Sequence, residues 1–157
     1  MKRGFTLIEV MIYIAMIALI FTVFTGMVLA VNKSYTKIAI LRNMDIAGIT
    51  TMERMTREIR GGTSVDAIGF GVLSLNQLNS KISFATTTEN NIQVRIDDVD
   101  QGTLLPSGVT VSSLIFRQID TGRSIGVKIE MLLAGKVGNA TSSEFYYSTV
   151  ILRGSYK

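Results

Sequence analysis

Lys2-Arg3-Gly4-Phe5-Thr6-Leu7-Ile8-Glu9-Val10 follows the initial Met1, and an uncharged, mostly apolar stretch then runs from Val10 to Val31. As a helix, about 22 such residues cross a hydrocarbon layer of roughly 30 Å. Lys2 and Arg3 precede the stretch, which favours a cytoplasmic N-terminus, although Lys33 and Lys37 follow it on the other side. A secretory signal has a shorter apolar core with a small-residue cleavage site after it. Here the plausible processing site, the Gly4–Phe5 bond, comes before the apolar run. Cleavage there removes a charged leader, residues 1–4, and leaves the helix on the mature protein.

Glu9 is the anomaly in this segment. A carboxylate at the edge of an apolar helix is costly unless it reaches the headgroups, neutralises or finds a partner. After cleavage at Gly4, the new α-amine of Phe5 lies one helical turn before Glu9. A neighbouring copy offset along a common axis can bring its own Phe5 amine to this carboxylate. A low dielectric strengthens that pairing relative to water. The plainer reading leaves Glu9 at the headgroup level.

A basic pair, a glycine, an aromatic and a glutamate four residues after that aromatic, running directly into an apolar helix, resemble the type IV prepilin N-terminal signature. The resemblance covers residues 2–31. It implies that prepilin peptidase recognises Gly4, that Phe5 becomes the N-methylated N-terminus, and that Glu9 is the assembly glutamate. It implies as partners other pilin-like subunits in a helical filament, an inner-membrane assembly platform and the membrane itself. The chain lacks the proline often found midway along the N-terminal helix of major pilins, and Gly26 lies in about that region. Glycine costs roughly 1 kcal/mol against alanine in a helix, so Gly26 is a candidate point of flexibility. The alternative is close backbone packing against another helix. The chain also lacks the C-terminal disulfide of many pilins, since it has no cysteine. Packing and strand pairing must hold its C-terminus.

Beyond Val31 no proline interrupts the chain until well past Gly61-Gly62, which reads as a helix stop. Residues 5–60, if helical throughout, make an element about 84 Å long. Residues 5–31 are expected as the membrane or filament-core helix and 32–62 as its amphipathic continuation. Ile38, Leu41, Met52, Met55 and Ile59 recur at helical spacing, with Arg42, Asp45, Glu53, Arg54, Arg57 and Glu58 largely off that stripe. The arginines alternate with carboxylates, as on an ordinary solvated or subunit-facing helix surface, which argues against direct nucleic-acid binding.

From residue 63 to 157 a β domain is expected. Thr63 to Asn79 reads as an irregular connection with a short strand near Val72–Leu75. Ile82 and Phe84, then Ile92, Val94 and Ile96, alternate around Glu89-Asn90-Asn91 as a hairpin. Strands follow over 113–119, 125–133 and 145–152, with 104–108, 120–123 and 135–143 as loops. The plan is α+β: a long N-terminal helix whose second half packs on an antiparallel sheet.

The chain has no histidine and no cysteine, so neither can supply a metal ligand or a nucleophile–base pair. No phosphate-binding loop appears, and no cofactor is implied. Asp97, Asp98 and Asp100 form the one local carboxylate cluster and are a calcium candidate, yet their spacing fits no EF-hand and an acidic turn explains them equally well. Lys2 and Arg3 are two of sixteen basic residues; their loss leaves fourteen against twelve acidic ones, so the basic balance partly reflects the leader. The expected function is that of a non-enzymatic structural subunit of a type IV pilus. Two alternatives stand beside it: a pseudopilin of a type II secretion or DNA-uptake machine, and a membrane-anchored binding domain that does not polymerise.

Overall fold

The computed structural model describes residues 6–138 and 140–155. The chain divides into two compact units, Met1–Ile38 and Ala39–Lys157.

The described part of the first unit is helical. Helix α1 runs Leu7–Gly61 and starts at a Thr6 cap, where the Glu9 backbone N–H donates to Thr6 Oγ1 at 3.4 Å. Within Leu7 to Val31 every apolar side chain is exposed, from Leu7 at 80% to Val31 at 44%. The apolar window has a mean hydropathy of 2.6 and none of it is buried, which by length and composition is enough to cross a membrane. Thr22, Thr25, Ser34 and Thr36 each turn the hydroxyl back onto the carbonyl four residues earlier, so these polar groups are satisfied within the helix.

Among its described residues the second unit contains the rest of α1, eight strands and a short 3-10 turn, Arg153–Ser155. The strands are β1 (Ser64–Gly69), β2 (Val72–Asn76), β3 (Lys81–Thr86), β4 (Ile92–Ile96), β5 (Val99–Thr103), β6 (Val109–Asp120), β7 (Ile125–Val137) and β8 (Ala140–Ile151). All pair antiparallel with their chain neighbours, in two sheets, β1 to β5 and β6 to β8. The single expected sheet is therefore two. They are stitched by a bridge between Phe70 and Ile115 and by Gly71 N–H donating to the Leu114 carbonyl at 2.7 Å.

Alternation decides which side chains enter the core. Ile82 and Phe84 of β3 and Ile92 and Val94 of β4 are buried, as their spacing predicts. The Thr63 to Asn79 connection is more regular than expected: β1 and β2 form a hairpin around Phe70-Gly71, with Gly71 at φ 67. Leu73 and Leu75 point from it into the core. The expected loop at 135–143 is also overturned. β7 continues to Val137 and β8 begins at Ala140, paired without a register shift. Gly135 is a core-facing strand residue whose missing side chain leaves room for Met44: a Cβ there would lie 2.6 Å from Met44 Sδ.

The helix stripe is rotated from the expected one. Ile40, Met44, Ala47, Gly48, Thr51, Met52, Met55 and Ile59 are buried, whereas Ile38 is 60% exposed and Leu41 only half-buried. Small residues displace the register, because Gly48 lies under the Tyr146 ring, whose atoms would be 2.5 Å from a Cβ at that position. Arg42, Asp45, Glu53 and Arg57 are exposed, as expected.

Residues 152–155, the last described, are held by packing and hydrogen bonds to β7. Leu152 is fully buried, and its N–H donates to the Ile125 carbonyl at 2.9 Å. Ser155 Oγ accepts from Ile125 N–H at 2.9 Å and donates to the Leu152 carbonyl at 2.8 Å.

Candidate assembly segment at the N-terminus

Gly4 and Phe5, the expected cleavage and methylation residues, lie outside the described residues. The described segment begins beside them, at Thr6. Its geometry gives Glu9 a local role in addition to the expected one. Thr6 precedes the helix, Glu9 is its third residue, and the Thr6 hydroxyl takes one of the first-turn N–H groups that have no partner inside a helix. The spacing Thr6-x-x-Glu9 ahead of an apolar run is the sequence mark of a capping box, a signal the reading of the carboxylate alone overlooks. A negative charge in a first helical turn also faces the positive end of the helix dipole. One turn further on, Tyr13 donates its hydroxyl to Glu9 Oε1 at 3.5 Å. Glu9 is half-buried while its apolar neighbours are exposed. The carboxylate is thus held at the start of the helix.

Gly26 lies in the exposed part of α1, and nothing comes within 4 Å of a Cβ built on it. Among the described residues no close approach demands glycine there.

The acidic cluster resolves into a turn. Asp97 and Asp98 are the two residues linking β4 to β5, both at positive φ (51° and 63°), as a two-residue hairpin requires. Asp97 Oδ1 accepts from Lys81 N–H at 2.7 Å. Asp100 accepts from Gly102 N–H and from Gln93 Nε2, each at 2.7 Å. The Gly102 amide, followed by the Gln93 amide, holds the Asp100 carboxyl below its ordinary value. The Asp97 and Asp100 carboxylates brace the hairpin, and among the described residues no three metal-ligating side chains gather.

A long N-terminal helix, apolar on all sides at its start and packed on antiparallel sheet in its second half, defines an α+β protein of pilin-like architecture. A comparison with family models matches residues 1–25 to the prokaryotic N-terminal methylation motif, the signature of type IV pilins and pseudopilins. The chain carries that signature, and with its apolar helix it has the features of a prepilin-processed, membrane-anchored, single-pass precursor. Neither the curated proteins nor the solved structures gave a match.

Proposed function

We propose that this chain is a minor structural subunit of a type IV pilus. It inserts through α1 with its N-terminus in the cytoplasm, is cut by prepilin peptidase between Gly4 and Phe5, and is N-methylated on Phe5. An inner-membrane assembly platform then transfers it from the lipid into a helical bundle of subunits that extends outside that membrane. One observation carries this reading: the exposed apolar surface of α1 from Leu7 to Val31, which overlaps the methylation motif at residues 1–25. The second unit has its own closed core, so this surface needs an apolar medium of another kind.

The physics of transfer favours assembly. A filament core of packed apolar helices is about as apolar as lipid, so extraction costs little hydrophobic free energy. Glu9 supplies the directional term. Charge inside hydrocarbon is expensive, and a Phe5 amine from an adjacent copy offsets that cost while fixing the axial offset between subunits. Gly26 serves as a point where the helix bends or locally melts as it leaves the bilayer.

The test is Glu9→Ala. Removing one member of a buried ion pair costs about 3–5 kcal/mol. The variant is expected to be processed and retained in the membrane at normal level and to be missing from sheared filaments. Normal incorporation would contradict the role given to Glu9.

A further inference from the structure

The two sheets of the second unit have four edges, and three of them carry devices that prevent strand addition. β1 has a bulge between Val65 and Ala67, with Asp66 in the gap bound to Lys81 at 2.8 Å. β5 is five residues long, and its pairing with β4 is broken between Gln93 and Arg95. β6 is bulged between Val111 and Ser113 and is met along its edge by Phe70 and Gly71. Bulges, inserted charges, short edges and covering segments are the usual means by which proteins block edge-to-edge pairing.

Among the described residues, β8 is neither bulged, short nor met along its edge by another segment. Its twelve residues pair with β7 in unbroken register, it contains no proline, and Glu144 is its single charge. Being last in its sheet, it turns a row of backbone N–H and C=O groups outward along its free side. On one face of the same edge Phe145 is 64% and Tyr147 72% exposed, beside Leu132, Ile115 and the Lys128–Glu130 ion pair, around an open hollow of about 630 Å³. The other face is the one that packs toward α1, with Val150 buried and the Tyr146 ring over Gly48, and its rim carries two carboxylates. The Tyr146 hydroxyl donates to Asp45 at 3.1 Å and lies 3.5 Å from Glu144, and neither carboxylate has an ion-pair partner among the described residues.

We propose that the free edge of β8 takes up an extended strand from a different polypeptide, by β-strand addition. The strand alternates: apolar side chains cover Phe145 and Tyr147 on one face, and a lysine or arginine meets Asp45 and Glu144 on the other. Main-chain hydrogen bonds supply affinity in this mode and alternate side chains supply selectivity. Self-pairing of β8 with a second copy is the lesser fit, since it lines up the carboxylates of both copies along one seam with no cation between them.

The experiment uses the full chain in detergent micelles and follows amide hydrogen exchange. The probe is an end-blocked decapeptide of alternating valine and threonine with one central threonine replaced by lysine. Protection is expected to rise in β8 and in no other edge strand. Replacing two valines by proline is expected to abolish the effect. Replacing the lysine by glutamate is expected to weaken binding about fivefold, as an exposed ion pair would, and Glu144→Gln is expected to shrink that difference. The proposal is overturned by unchanged exchange in β8 or by equal protection from the proline peptide. It is equally overturned by protection that rises with protein concentration alone, which would make a second copy the occupant.

Discussion

From Leu7 to Val31, α1 turns apolar side chains outward in every direction, and all of them are exposed; from Ile40 to Ile59 eight buried residues form a single stripe and the exposed face is largely polar. A stripe needs one partner surface, which the sheets of the second unit provide. An all-round apolar surface needs an apolar surrounding, either lipid or a bundle of similar helices. Burial within the chain explains the second stretch. The first makes sense only outside the isolated molecule.

The sharpest break between the two stretches is functional: Glu9→Ala is expected to abolish filament incorporation while leaving the folded second unit untouched. Next in size is a pair of truncations in α1. Met44 is fully buried, so Met44→Ala is expected to lower stability by about 2–5 kcal/mol in denaturant titration. Ile38→Ala, at an exposed site, is expected to stay within about 0.5 kcal/mol. A loss at position 38 equal to that at 44 would mean that the burial difference is misplaced.

The two helical glycines sharpen the contrast further. Alanine gains about 1 kcal/mol over glycine in a helix. At Gly26 nothing opposes that gain, so Gly26→Ala is expected to slow hydrogen exchange around residue 26. If bending there serves assembly, the same change lowers filament yield. At Gly48 the new methyl meets the Tyr146 ring, and overpacking of about 1–3 kcal/mol outweighs the gain. Gly48→Ala is expected to lower the unfolding midpoint.

The smallest expected effect is a pH dependence confined to the second unit. Burial, then the hydrogen bond to Asp45 and the nearby Glu144 charge, raise the Tyr146 hydroxyl above its ordinary value of 10.0. The unfolded chain loses this proton first, so the contribution to stability is complete below about pH 10 and fades as pH rises past it. Unfolding midpoints are expected to fall across that alkaline range, and less steeply in Tyr146→Phe.

Much of this architecture is legible in the chain because its signals are local. The apolar run, the Gly61-Gly62 stop and the alternation in β3, β4 and β7 depend on neighbours in sequence. The misread elements turn on tertiary contacts. Gly135 looks like a loop residue until Met44 is seen to occupy the space a side chain would take. Ala47, Gly48 and Thr51 carry little hydrophobic signal, yet they place the true stripe because Tyr146 and the sheets approach closely there. The Thr6–Glu9 cap is legible in the three-residue spacing, because its hydrogen bond is local. The β4–β5 hairpin shows the converse: of the three carboxylates that suggest a cation site, Asp97 accepts from Lys81 N–H and Asp100 from Gly102 and Gln93.

The central claim is that α1 remains on the mature chain behind a new N-terminus. Intact-mass and N-terminal fragment mass spectrometry of the protein from its own membrane tests this most directly. The predicted result is a chain that begins at Phe5 and carries one added methyl group on its α-amine. A mature chain still beginning at Met1, or one cut downstream of Val31, would contradict the account.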